Sequence, residues 1–201
     1  MAESFAGITV PDGEPEELRQ AATTFSGVSG GLAGVSGELR SMPGVLSSWR
    51  GPASVNYGNS CLTNGQALDA SEQALELAAN VARRYAEDLE AAQREAREAI
   101  EQAREAQRRI DRAEREIEEA RSRAEAAAAR ATSAAFEVAT SALTGSPSAG
   151  AEADLRQAEQ DADAARAQEA RARRELEQGQ EDLREAQERG RRAEQAAEEA
   201  A

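Results

Sequence analysis

The sequence predicts an all-α protein: a helical hairpin that continues into a long antiparallel, alanine-rich coiled-coil hairpin. Three observations predict it. Apolar residues recur at alternating three- and four-residue steps over most of the chain, the signature of packed helices rather than the two-residue alternation of strands. Aromatics make up only 3% of 201 residues, while alanine, glutamate and arginine dominate the second half, so a globular core of this length would be under-filled. Two breaks, Gly51-Pro52 and "TGSPSAGAE" at 144–152, divide the pattern into three helices.

Residues 1–13 read as an N-terminal tail. The first helix starts near Glu14, with Pro15 in the first turn and Glu16 and Glu17 at the positive end of the helix dipole. Its apolar positions are Leu18, Phe25, Val28, Leu32, Val35, Leu39, Met42 and Leu46, a heptad seam expected to bind a partner helix. Pro43 kinks or ends the helix near its last turn. Gly27, Gly30, Gly31, Gly34 and Gly37 interrupt the same stretch, each costing about 1 kcal/mol relative to alanine. A regular seam on so poor a backbone implies a helix held by its partners, with the glycines expected to admit a neighbouring helix.

The second helix begins at Pro52, with "NYGNSCLTNG" (56–65) as an expected kink. From Leu75 to Val138 its seam alternates three and four without a miss, and a helix from Pro52 to Leu143 would be on the order of 140 Å long. A third seam runs from Leu155 to Ala197, with Glu169 as its one charged member. The short connection makes the second and third helices antiparallel neighbours, the tip lying at 144–150 and the chain end meeting the region of Ala92. The domains expected are therefore 14–90, a helical hairpin, and 91–201, the coiled-coil arm. The ending "RRAEQAAEEAA" carries carboxylates where the dipole prefers cations, so the natural chain is expected to continue beyond it.

Charge and composition narrow the function. The net charge is −14, all 24 basic residues are arginine, and the arginines alternate with carboxylates, which argues against nucleic acid. With no histidine, no lysine, one cysteine (Cys61) and no glycine-rich phosphate loop, the chain is read as neither an enzyme nor a cofactor or metal binder. The N-terminus lacks the basic and apolar regions of a cleavable signal peptide, and Arg130 and Glu137 interrupt the most apolar run, 126–143.

The connection between the first two helices reads "SSWRGPASVNY" (47–57) and holds the only tryptophan. Trp49, Gly51, Ala53 and Tyr57 match Trp-x-Gly-x-Ala followed by an aromatic, and "GEPEELRQAATTF" precedes them. Over roughly the first 90 residues the chain resembles the Trp-x-Gly (WxG) family of helical hairpins exported by type VII secretion systems. It is especially similar to the hairpin at the N-termini of large secreted actinobacterial toxins.

The resemblance implies an export-targeting hairpin that forms a four-helix bundle with a small WxG-like partner or with itself. It also implies presentation to the secretion ATPase, a route to the exterior or envelope without a cleaved leader, and a C-terminal effector domain outside this chain. The family's tail signal, a tyrosine with an acidic residue four positions on, has a departure here: Tyr85 is followed by Asp88 and Glu90, with Leu89 at the acidic position. Tyr85 also falls on the seam, where core packing is its ordinary role.

Two other readings stand beside export. A structural coiled-coil scaffold would use Trp49 as a plug for the turn. A membrane or receptor contact at the arm tip would use Phe136, Val138 and Leu143, for which packing of the hairpin end is the preferred explanation.

Overall fold

A computed structural model gives the fold and describes residues 3–45, 48–144 and 149–200. The architecture is all-α, as expected, with three long helices: α1 Pro15–Val45, α2 Pro52–Thr144 and α3 Ala149–Ala200. The chain forms two compact units, one built from residues 9–96 with Glu3 and 192–200, the other from 4–8 and 97–191.

In the first unit α1 and α2 run antiparallel. Partners on α2 fall in number as those on α1 rise: Ser29 Oγ donates to the Glu72 carbonyl at 3.2 Å, and Ser36 Oγ lies 3.1 Å from the Gly65 carbonyl. Pro15 opens α1, and the Glu14 carbonyl accepts from the Glu17 amide at 3.0 Å. Pro43 sits inside the last turn, where it cannot donate to the carbonyl four residues back, and the helix ends two residues later at Val45. α2 stays helical through 56–65, where a kink was expected.

The contact on α1 is made by Ala22, Ser29 and Ser36, all buried and seven residues apart. The five expected packing glycines do not serve there: each of Gly27, Gly30, Gly31, Gly34 and Gly37 is exposed, and a Cβ on any of them would meet nothing within 4 Å. Close approach comes instead from the two serines and from Gly65 on α2, where a Cβ would lie 3.3 Å from Arg40. Near the other end of this unit, Leu89, Ala92 and Ala197 form a buried cluster joined by Leu18 and Tyr85.

In the second unit α2 and α3 form the arm. Ion pairs Glu98–Arg189 (3.5 Å), Arg109–Asp182 (2.9 Å), Arg121–Glu169 (3.0 Å) and Arg130–Asp161 (3.1 Å) step in opposite directions along the two helices, which are therefore antiparallel. Ala99, Ile100, Ala103, Ala113, Ala120 and Ala127 are fully buried between them. Gly179 lets Ile110 approach, since a Cβ there would stand 3.0 Å from Ile110 Cγ1. The connection at 145–148 lies outside the described residues.

Glu169, the charged seam member, is accommodated by two arginines: Arg121 from α2 at 3.0 Å and Arg173 one turn along α3 at 2.6 Å. The Arg121 hydrogen bond, chiefly, holds its carboxyl below the usual glutamate range against the opposing effect of burial. A carboxylate with a depressed folded pKa contributes stability above its unfolded value and loses it as pH falls through the folded value. The stability difference between wild type and Glu169→Gln should therefore shrink on acidification from neutral pH to below about 4. Denaturant unfolding at each pH measures it, and a pH-independent difference would contradict the assignment.

Residues 1–13, read as a tail, hold a structured ribbon. β1 Ser4–Phe5 pairs with β2 Ile8–Thr9. The two-residue turn uses positive φ at both Ala6 (52°) and Gly7 (81°), the geometry that matches the twist of paired strands. Within the second unit Ile8 is buried against Gly190, Gln187 donates to the Ala6 carbonyl at 3.0 Å, and the Arg104 guanidinium lies 5.7 Å from the Phe5 ring centre. Within the first unit Gln93 Nε2 donates to the carbonyls of Pro11 (3.1 Å) and Gly13 (2.8 Å).

Candidate functional site

Two features of the first unit stand out: the turn between α1 and α2, and the face of α1 that α2 leaves open. In the turn, Gly51 adopts φ of +118°, a backbone conformation that side-chain-bearing residues avoid. Its carbonyl accepts from the amides of Ser54 (3.1 Å) and Val55 (3.3 Å) and from Ser54 Oγ (2.7 Å), so it starts α2 as the cap, with Pro52 as first helical residue.

Trp49 is 46% exposed. Its ring lies 5.6 Å from that of Tyr57, tilted by 51°, an aromatic contact made across the glycine. The Tyr57 hydroxyl donates to Met42 Sδ at 3.4 Å, linking α2 back to α1. A hydrogen bond with the buried Cys61, first, and then charge interaction and burial hold Tyr57 above the ordinary tyrosine range. Ala53 is exposed. The turn thus brings together Trp49, Gly51 and Tyr57, and the indole keeps a free face rather than closing the hairpin as a buried plug.

The expected partner seam of α1 divides in two. Leu18, Phe25, Leu32 and Leu39 are half-buried and join Ala22, Ser29 and Ser36 on the side facing α2. Val28, Val35 and Met42 form the neighbouring row at seven-residue spacing and are 50%, 50% and 41% exposed. α1 therefore carries two overlapping heptad seams that share Phe25, Leu32 and Leu39; α2 fills one, and the other stands open. Leu46 lies outside the described residues.

The face of α1 turned to α2 is closed by polar contacts. Ser36 Oγ donates to Asp69 Oδ1 at 2.5 Å and accepts from Arg40 at 3.0 Å, and Arg40 also pairs with Asp69. These serines are what the sequence reading missed, because a buried polar residue with a partner on the next helix leaves no hydrophobic signal.

The remaining expected residues are not gathered into one site. Tyr85 is half-buried against the Leu89 cluster, Asp88 is exposed, and Glu90 is engaged by Arg19 of α1. Phe136 and Leu143 are exposed on α2 in the second unit, and Val138 is half-buried. Among the described residues no acidic, cysteine or histidine group is arranged to hold a metal, and no helix is long and apolar enough to cross a membrane. No family model, curated protein or solved structure matches the chain.

Proposed function

We propose that the chain is the N-terminal targeting and partner-binding portion of a protein exported by a type VII secretion system. The hairpin of α1 and the first part of α2 pairs with a small WxG-like helical protein, or with a second copy, into a four-helix bundle presented to the secretion ATPase. The arm acts as spacer or docking platform, and the active part of a secreted effector follows it. The observation that carries this reading is the open second seam of α1, Val28, Val35 and Met42, beside a W-x-G turn with a half-exposed tryptophan. Each is about half exposed, so completing its burial contributes about half of the 1.5–3 kcal/mol that full burial gives, and the three together favour a helical partner on this face. A scaffold with no export role would use the same alanine seam in the arm but has no use for the free face of Trp49.

The test is Val28→Glu/Val35→Glu/Met42→Glu. Val28 and Val35 lie outside the seam filled by α2, and Met42 meets α2 through the exposed hydroxyl of Tyr57, so the variant should keep wild-type helicity. It should lose co-purification with small helical proteins encoded beside it, and any concentration-dependent self-association in sedimentation, by a hundredfold or more. A wild-type chain that stays monomeric and captures none of them, or a variant that pairs as well as wild type, contradicts the reading.

A further inference from the structure

In the second unit, α2 and α3 meet along one edge in a single register. Arg109 pairs with Asp182 (2.9 Å), Arg123 donates to Gln168 (2.9 Å) and Arg130 pairs with Asp161 (3.1 Å), matched steps up one helix and down the other. The alanines between the helices do not fix that register. Every seventh residue of α2 from Ala99 to Ala134 is a buried alanine, and so is every seventh of α3 from Ala158 to Ala186 except Gly179. A shift of one heptad sets alanine on alanine again. The charges of this edge do not oppose such a shift either. If each α2 residue faced the α3 residue seven earlier, Arg109 would meet Glu175, Arg123 Asp161 and Arg130 Asp154. The native register instead has Glu137 and Asp154 lining one cavity. The shift breaks Arg121–Glu169 and Glu98–Arg189, but pairs with an exposed member contribute only about 0–1 kcal/mol each.

The N-terminal ribbon is the stronger obstacle. Ile8 is buried where α3 presents Gly190, and a Cβ at that position would overlap Ile8 Cγ2. Gln187 of α3 donates to the Ala6 carbonyl at 3.0 Å, and Arg104 of α2 lies against the Phe5 ring, so the ribbon grips both helices at once. The shift would carry Leu183 to the place of Gly190, where even a methyl group does not fit. We infer that the ribbon is a register key for the arm. Seated, it holds α3 in the native register. Unseated, it frees α3 to move one heptad along α2, about 10 Å, into a second paired state. The helix ends beside the connection unwind to span the added distance.

The experiment uses the 201-residue chain with Cys61→Ala and nitroxide labels on Arg115→Cys and Glu188→Cys, exposed positions of α2 and α3. Pulsed dipolar spectroscopy should give one distance when the ribbon is intact. Ile8→Asp should add a second distance, longer by up to about 10 Å, in at least a fifth of the molecules, with circular dichroism little changed. Adding Asp154→Arg and Glu175→Gln to Ile8→Asp should cut that second population at least threefold. Each of the two removes an ion pair of the shifted register, and neither residue belongs to the native pairs given above. A single unchanged distance in Ile8→Asp overturns the inference. So does a broadened distribution that the two added substitutions leave in place, which would mean that the ribbon only holds the helix ends together.

Discussion

Gly190→Val is expected to destabilise the protein by about 3 kcal/mol, although removing a glycine from a helix interior ordinarily stabilises it. The reason is Ile8. A Cβ at position 190 would overlap Ile8 Cγ2 and stand 2.8 Å from its Cγ1, and Ile8 is among the most buried large side chains of the described residues. Either α3 shifts or Ile8 leaves its slot, and expelling a buried isoleucine costs about 1.5–3 kcal/mol. Gly27→Ala supplies the contrast. That site is helical with nothing within 4 Å of a Cβ, so the substitution should gain up to about 1 kcal/mol. The opposite signs at two helical glycines test the ribbon's seat directly. Ile8→Ala should also cost less in the Gly190→Val background than in wild type, because both changes remove the same contact. Denaturant unfolding of the four proteins measures the coupling, and additive effects would show that the ribbon does not press on Gly190.

The helices of the arm were legible in the sequence because alanine on one face and glutamate or arginine on the others repeat over many heptads. Each seam residue from Leu75 to Val138 and from Leu155 to Ala197 is at least half-buried. The first hairpin was harder to read. Leu18, Phe25, Val28, Leu32, Val35, Leu39 and Met42 look like one stripe, yet α2 packs on a stripe rotated from it and completed by Ser29 and Ser36. Hydrophobicity alone could not find that rotation, since serine enters the contact through hydrogen bonds to Glu72 and Asp69. Where the glycines face was not legible for a related reason: small size permits close approach, but nothing in the spacing said that these five point away from α2. Glu169 was legible as the one charged seam member, while its pairing with Arg121 and Arg173 was not. The N-terminal ribbon has strands of two residues, too short for any periodicity; its one trace is Ala6-Gly7 between Ser4-Phe5 and Ile8-Thr9. The W-x-G turn was legible as a motif, while the exposure of its indole was not.

The turn carries the functional account through two residues that fail in different ways. Gly51→Val forces a branched side chain into φ of +118°, a strain on the order of 1–3 kcal/mol concentrated where α2 is capped. This variant should fray the start of α2, loosen the Tyr57–Met42 contact and lower the helical signal. Trp49→Ala removes a half-exposed ring that stacks at a tilt on Tyr57, so the hairpin should survive it. Export of the two variants therefore separates loss of a fold from loss of a recognition surface.

The most direct test of the account is the ratio of secreted to cellular protein for Trp49→Ala, in a host with an intact type VII system and alongside the helicity of the purified variant. The account predicts wild-type helicity with secretion reduced tenfold or more, the protein accumulating inside the cell. A correctly folded Trp49→Ala protein secreted at the wild-type ratio would contradict it.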